Sequence, residues 1–335
     1  MGRRGQPPTG PALGAGGRLS LSQTLEALLA RALAAAVRAL PWRAAVLLGA
    51  RLGDLTRLIG IRRRVALANL ELAFPERSAA ERQSILAAHY RDVGMMMCEA
   101  ARGVASVHAR EGEVIAHARG LEHLEAAKRA GHGAIVLTAH YGDFGLIGAW
   151  LAQLNPVMMF GKALQNPAVE ALLVRTCEEA SVRRIVAGPG LRHLVAGLRN
   201  NHWVMMLADQ DAGKGGVFVP FMGRLCSTTA GPAEISLRTG APIIMAFITR
   251  RDDDRNEIDV LPPLVLDHPD APDAVERLTA LYTAVLERWV RMHPHMWFWL
   301  HRRWKTKPPP AARRNGDDAG GLETPPRATP IAREA

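Results

Sequence analysis

The chain has 335 residues, of which 48% are hydrophobic, and a formal net charge of +10 at pH 7. It is long enough to bury a sizeable core in one large domain or two small ones. The basic charge favours anionic partners, but with 5% aromatic residues and no recognisable nucleic-acid module, nucleic acid is excluded from the expected partners.

The N-terminal part of the chain predicts association with a membrane surface. Residues 1–18 are rich in Gly and Pro and are expected to be disordered. Residues 19–64 contain apolar residues at helical spacing, interrupted by arginines before any uncharged run long enough to span a bilayer is reached. This pattern is typical of amphipathic helices lying on a membrane, and equally of a helical hairpin packed on the protein core.

The rest of the chain alternates short apolar strands with helices. Predicted strands lie at 134–139, 157–160, 182–186, 203–207, 243–249 and 258–261, and predicted helices at 78–101, 119–131, 190–200 and 272–292, with a further helix beginning near 167. This alternation indicates an α/β fold with a central mixed sheet flanked by helices, over residues 65–307. Residues 308–335 are rich in Pro, Gly and charge and are expected to be disordered.

The stretch from Gly133 to Leu146 contains a candidate base. A buried apolar strand ends in small residues, and His140 follows it where open α/β sheets hold their ligands. Asp143 lies at a predicted helix N-terminus, where it could cap the helix, orient the imidazole, or do both. A histidine oriented by a carboxylate can take a proton from a hydroxyl, whereas the simpler interpretation is a structural histidine beside a capping aspartate.

Two other stretches are unusually polar. Asp209 and Asp211 directly follow a predicted strand, where paired carboxylates could bind a metal, balance arginines, or belong to a turn. Near the end, residues 297–307 interleave tryptophans with Arg302, Arg303 and Lys305. That pattern suits a membrane interface or a phosphorylated substrate, and it is also typical of a solvated basic edge anchored by aromatic residues.

Several of these segments together resemble one known family, the late acyltransferases of lipid A biosynthesis, over roughly residues 20–307. The matching segments, in chain order, are Asn69-Leu-Glu-Leu-Ala-Phe-Pro75, Gly133–Gly142, Asp209-Gln-Asp, Gly216-Val-Phe-Val-Pro-Phe-Met-Gly223, Thr229-Ala-Gly, Thr239-Gly-Ala and Trp299-Leu-His-Arg-Arg-Trp-Lys-Thr-Lys-Pro308. The Gly-Val-Phe-Val-Pro-Phe and His-Arg-Arg-Trp-Lys-Thr strings are far more specific than a single histidine.

The resemblance implies a glycerolipid-acyltransferase-like fold. It also implies transfer of a fatty acyl chain from an acyl carrier protein or coenzyme A thioester to a hydroxyl of a lipid A precursor or related glycolipid. His140 would be the base and Asp143 its partner. The predicted substrate-binding residues are Lys162, Asp209, Asp211, Arg302, Arg303 and Lys305. No metal or organic cofactor is expected, and the expected location is the cytoplasmic face of a bacterial inner membrane.

One position departs from the family pattern of a histidine followed, after four residues, by Glu or Asp. The fifth residue after His140 is Gly145. Asp143 could substitute with a different geometry, or an acid from elsewhere, Asp209 or Glu99, could fill the role. The remaining alternatives are a weakly active or inactive family member that binds lipid or a protein partner, and an acyltransferase that uses another lipid.

Overall fold

A computed structural model of the chain describes residues 34–102, 114–188 and 190–309, together with Leu28 and Ala32. The described helices are α1 (Trp42–Ile59), α2 (Arg63–Ala73), α3 (Ala79–Arg102), α4 (Leu121–Ala130), α5 (Phe144–Leu154), α6 (Pro167–Glu179), α7 (Leu191–Arg199), α8 (Gly231–Thr239) and α9 (Ala274–Met292). The described strands are β1 (Ile115–Arg119), β2 (Ala134–Thr138), β3 (Val157–Gly161), β4 (Val182–Val186), β5 (Trp203–Leu207), β6 (Val217–Phe221), β7 (Arg224–Thr228), β8 (Ile243–Arg250) and β9 (Asn256–Val260).

Seven strands form one central sheet in the order β1-β9-β8-β2-β5-β3-β4, and β6 and β7 form a separate antiparallel pair. All neighbours in the central sheet run parallel except β8 and β9. The long crossovers between parallel strands are mostly helical and cover the faces of the sheet, which is why its central strands are continuous apolar runs. The predicted α/β class with a mixed central sheet is therefore confirmed.

The side chains of β2 illustrate how the sheet separates two apolar layers. Every residue of the strand is buried. Ala134 and Val136 pack in one layer with residues of α4 and α5, and Ile135 and Leu137 pack in the other with residues of α7, α8 and α9. Successive strand side chains point to opposite faces, so one five-residue run contributes to both layers.

Helices α1 and α3 pack so closely that only glycine fits between them. A Cβ atom added at Gly49 would lie 2.5 Å from the Gly94 carbonyl oxygen, and one at Gly53 would lie 2.1 Å from the Tyr90 carbonyl oxygen. Small residues four apart allow this backbone contact, as in helix pairs of membrane proteins. None of the helices in the described ranges is long and apolar enough to cross a bilayer.

The predicted strands and long helices match the structure to within a few residues. The capping box predicted at the start of α3 is present, since Ser78 Oγ accepts from Glu81 N at 3.2 Å and Ser78 N donates to the Glu81 carboxylate at 2.8 Å. The prediction missed β1, the β6–β7 pair and helices α2 and α8. The proposed disorder of residues 1–18, and of all but the first two residues of 308–335, lies outside the described residues.

Candidate active site

The register of two neighbouring strands brings His140 and Asp209 together. Strand β2 pairs with β5 in parallel, and Thr138, the last residue of β2, lies opposite Leu207, the last of β5. His140 and Asp209 each follow two residues later, so both leave the sheet at the same carboxyl edge. The turn after His140 requires glycine, because Gly142 has φ of +53° and a Cβ there would lie 2.5 Å from the Ile248 carbonyl oxygen.

Asp209 holds both the side chain and the backbone of His140. Its Oδ1 lies 2.8 Å from His140 Nδ1, and its Oδ2 accepts from the His140 backbone N at 3.0 Å. The same Oδ2 accepts from the indole Nε1 of Trp297 at 2.9 Å. The Asp209 side chain is 2% exposed and that of His140 is 30% exposed, so the carboxylate is buried behind an imidazole that reaches the surface.

The hydrogen bond to Asp209 determines which imidazole nitrogen is available for chemistry. A carboxylate accepts the proton on Nδ1, which leaves Nε2 unprotonated in the neutral ring. The Gln210 side-chain nitrogen lies 3.3 Å from Nε2 and donates to it. The rings of Phe144 and Phe298 lie 5.3 and 6.2 Å from the imidazole, so the base has an apolar surround.

Burial and charge shift the pKa values of His140 and Asp209 in opposite directions. Burial favours neutral His140, but the adjacent Asp209 charge and hydrogen bond outweigh it and raise the pKa of His140 above its usual value. Burial also opposes the charge on Asp209, yet the attraction of His140 and the donated hydrogen bonds keep the Asp209 pKa below its usual value. The geometry therefore stabilises an imidazolium–carboxylate pair, as a general base requires after it has accepted a proton.

Asp143 has a different environment. It caps α5, with Oδ1 accepting from Leu146 N at 3.2 Å, and it is 4% exposed. Burial, reinforced by the charge of nearby Glu99, raises its pKa to about 7. Of the alternatives that the sequence leaves open, the structure thus places Asp209 at His140 Nδ1 and Asp143 at the helix N-terminus. Glu99 is engaged elsewhere, in a buried ion pair with Arg250.

Asp211 and Arg303 are occupied by contacts within the protein. The Asp211 carboxylate accepts from the backbone N and the Oγ1 of Thr306, at 3.2 and 2.9 Å. Arg303 is fully buried and donates to the Ser227 carbonyl at 2.6 Å and to Thr228 Oγ1 at 2.5 Å. These contacts connect the segment after residue 300 to the loop after β5 and to β7. Both side chains therefore stabilise the structure around the site.

The other predicted substrate-binding residues are exposed. Lys162 follows β3, the neighbour of β5 in the sheet, and so lies at the same carboxyl edge as His140. Arg302 and Lys305 are exposed on either side of buried Arg303 and Trp304. Within the described ranges, no group of three or more His, Cys, Asp or Glu side chains is arranged to hold a metal ion.

Three residues in contact with the His140–Asp209 dyad or its neighbours were not singled out as site residues from the sequence. Trp297 bonds to Asp209, Gln210 to His140, and His301 Nε2 accepts from Asp211 N at 3.0 Å. Burial lowers the pKa of His301, consistent with a neutral acceptor. Residues 297 and 301 lie in the aromatic and basic stretch, but nothing in their spacing indicates contact with a residue about 90 positions earlier.

A histidine held by a buried carboxylate at the carboxyl edge of a parallel sheet defines an α/β protein that can activate a hydroxyl group. Residues 17–306 match the family described as bacterial lipid A biosynthesis acyltransferase, and the chain belongs to that family. It is an acyltransferase.

Two similar proteins from Escherichia coli (strain K12) are named as acyltransferases of lipid A biosynthesis. The lipid A biosynthesis lauroyltransferase is 29% identical over 279 residues, covering 80% of this chain and 88% of the relative. The lipid A biosynthesis palmitoleoyltransferase is 27% identical over 272 residues, covering 80% of this chain and 87% of the relative. A phosphatidylinositol mannoside acyltransferase of Mycobacterium tuberculosis (strain CDC 1551 / Oshkosh) is 32% identical over 132 residues, covering 37% of this chain and 41% of the relative.

Proposed function

We propose that this chain transfers a fatty acyl group from a thioester of acyl carrier protein or coenzyme A to a hydroxyl of a lipid A precursor or related glycolipid. The observation that carries the proposal is the dyad, in which His140 Nδ1 is 2.8 Å from buried Asp209 while the imidazole remains partly exposed. Family membership supplies the class of reaction.

In the proposed reaction, the acceptor hydroxyl displaces the Gln210 amide from Nε2 and gives its proton to that nitrogen. The acceptor oxygen attacks the thioester carbonyl, the C–S bond breaks, and the proton on Nε2 passes to the departing sulfur. The products are an ester and a free thiol. Asp209 stabilises the imidazolium during this cycle, and no covalent acyl-enzyme is needed.

The surroundings of the dyad suit both substrates. Phe144 and Phe298 flank the imidazole and offer an apolar approach for an acyl chain. Lys162, Arg302 and Lys305 are exposed cations that can bind phosphates of an anionic lipid. The basic charge of the chain also favours encounter with acyl carrier protein, because that protein is acidic.

We place the protein on the cytoplasmic face of the bacterial inner membrane. The support is the apolar face of α1, which consists of Leu47, Leu55, Leu58 and Ile59, each more than half exposed. Arg51, with 72% of its side chain exposed, lies on the same helix one turn after Leu47. Leucines beside an arginine suit an interface of anionic lipids, where the arginine reaches the head groups.

The test is transfer of labelled acyl chains by the purified full chain in detergent. Acyl carrier protein and coenzyme A thioesters are offered with a lipid A precursor, a phosphatidylinositol mannoside and lysophospholipids in parallel. His140→Ala should abolish transfer, and His132→Ala, an exposed histidine before β2, should retain it. No transfer to any of these acceptors would favour the alternative, a catalytically inactive protein that binds lipid or a partner.

Transfer to the mannoside but not to the lipid A precursor would instead favour the second candidate, an acyltransferase for another glycolipid. The similarity to a mycobacterial phosphatidylinositol mannoside acyltransferase supports including that acceptor.

A further inference from the structure

Trp297 extends the hydrogen-bonded dyad to a third residue, because it bonds to Asp209, which in turn bonds to His140. It is 1% exposed, and its indole Nε1 donates to Asp209 Oδ2 at 2.9 Å. An indole N–H is a donor only, so this contact satisfies an oxygen of the carboxylate in its ionised form. The contact joins a residue of the aromatic and basic stretch at 297–307 to one 88 positions earlier.

The two oxygens of Asp209 have separate partners. Oδ1 faces the imidazole Nδ1, while Oδ2 accepts both from Trp297 Nε1 and from the His140 backbone N. Two donors on Oδ2 fix the plane of the carboxylate and leave Oδ1 directed at Nδ1. Because Trp297 is neutral, it supports the negative charge without cancelling it, and the full charge remains available to an imidazolium.

The indole itself cannot move readily. The Trp299 ring packs edge-on against it at 4.6 Å and 88°, and the Phe221 ring lies 5.2 Å away. The backbone is held as well, because Trp297 forms a bridge with Tyr141, and the next residue, Phe298, donates to the His140 carbonyl at 2.9 Å. The short segment around Trp297 therefore positions both halves of the dyad.

We propose that Trp297 is a positioning residue of the reaction, holding Asp209 in the orientation in which it supports the imidazolium of His140. Its effect on turnover rests on the proposed function of the dyad. Its coupling to Asp209 and His140 is a property of the folded protein and can be measured without turnover.

The kinetic experiment compares Trp297→Phe with Trp299→Phe. Both remove an indole N–H from a buried ring, but the Trp299 N–H donates to the Pro294 carbonyl at 2.6 Å and not to the dyad. Trp297→Phe should lower kcat roughly 10- to 100-fold with little change in KM, as loss of a hydrogen bond to a charged group predicts. Trp299→Phe keeps an aromatic ring against Trp297, so it should keep kcat within about threefold while lowering thermal stability. Equal kcat losses in both variants would overturn the proposal.

A double-mutant comparison tests whether Trp297 acts through Asp209. In an Asp209→Asn background the carboxylate is already lost, so Trp297→Phe should lower kcat by less than about threefold more. A full 10- to 100-fold further loss would mean that Trp297 acts by another route.

The second measurement uses the wild-type protein labelled at tryptophan and histidine with ¹⁵N, so that both groups are followed without a variant that must fold. The Trp297 indole N–H resonance should shift with pH at the same midpoint as His140, and the Trp299 resonance should stay constant. A flat Trp297 resonance across the His140 titration would overturn the proposal. If this coupling is present but acyl transfer is absent, the proposed function fails and the positioning contact stands.

Discussion

At the scale of single residues, the candidate site contains two buried aspartates in different environments. Asp209 accepts three hydrogen bonds and faces a histidine, so its pKa stays below the usual value. Asp143 accepts from the Leu146 N–H at the helix N-terminus, and burial raises its pKa to about 7. Charge partners and hydrogen bonds, not burial alone, decide which of the two remains ionised near neutral pH.

We predict that Asp209→Asn and Asp143→Asn, chemically identical substitutions, have unequal effects. Asp209→Asn should lower kcat on the order of 10³-fold, because an amide cannot stabilise the imidazolium. Asp143→Asn should stay within about threefold, because asparagine also caps helices well. The measurement is steady-state transfer to the acceptor found active, with unfolding curves for both variants. A larger loss in Asp143→Asn would restore Asp143 as the partner of His140.

The pH dependence of the same variants gives a separate prediction. A base must be neutral, and Asp209 raises the pKa of His140, so wild-type activity should rise with pH through a midpoint above the ordinary histidine value of about 6.5. Asp209→Asn removes the negative charge and leaves burial, and burial lowers the pKa of His140. The midpoint of the pH–rate profile of Asp209→Asn should therefore lie at lower pH, and its maximal activity should be much lower than that of the wild type. An unmoved midpoint in the pH–rate profile would contradict this.

At the scale of elements, residues 297–307 support the ends of the two strands, β2 and β5, that position His140 and Asp209. Asn69 of α2 donates to the Trp299 and His301 carbonyls at 2.8 and 2.6 Å, so the Asn-Leu and His-Arg-Arg-Trp motifs are in contact. Arg303 then joins that segment to β7. Motifs that are more than 200 residues apart in sequence are therefore in contact beside the site, and together they stabilise it.

We predict that neighbouring arginines of this segment separate stability from binding. Arg303→Met removes the charged donor that bonds to the Ser227 carbonyl and the Thr228 hydroxyl, and it should lower the free energy of unfolding by roughly 1–3 kcal/mol. Arg302→Met, at an exposed position, should change it by less than about 0.5 kcal/mol. If Arg302 binds phosphate as proposed, its variant should raise KM for a phosphorylated acceptor. Urea unfolding with steady-state kinetics checks both, and equal stability of the two variants would contradict the supporting role.

At the scale of the whole molecule, α1 has large apolar side chains on its exposed face. Its glycines pack against α3, while the apolar face of α1 is exposed, with Leu58 at 73% and Ile59 at 67%. Large apolar side chains outside and glycines inside are favourable next to lipid. Since α3 also packs against the segment at Pro294–Met296, a membrane that holds α1 would orient the whole site.

We predict that Leu58→Ser with Ile59→Ser weakens binding to vesicles containing anionic lipid by roughly tenfold or more, because burying each such side chain is worth about 1.5–3 kcal/mol. Val265→Ser, which changes a 79% exposed valine in the connection after β9, is the matched control and should bind normally. Vesicle co-sedimentation at low and high salt measures both. Equal binding by the two variants would exclude this face as the membrane contact.

Much of this protein follows from local sequence alone. Runs of apolar residues bounded by turn residues predicted six of the strands, and the capping patterns at Ser78 and Asp143 predicted helix starts, because both depend on neighbours within a few positions. The motifs indicated the family, which the comparison confirms. Strand β1 was missed because three of its five side chains are exposed, which leaves little apolar pattern.

Only the tertiary structure decided which acid faces His140. The sequence favoured Asp143, three residues away, whereas Asp209 is 69 residues away and becomes adjacent because β2 and β5 pair with Thr138 opposite Leu207. Strand order and register arise from packing between distant segments, which spacing along the chain does not encode. For the same reason the sequence indicated neither that Trp297 reaches Asp209 nor that Arg303 is buried while Arg302 is exposed.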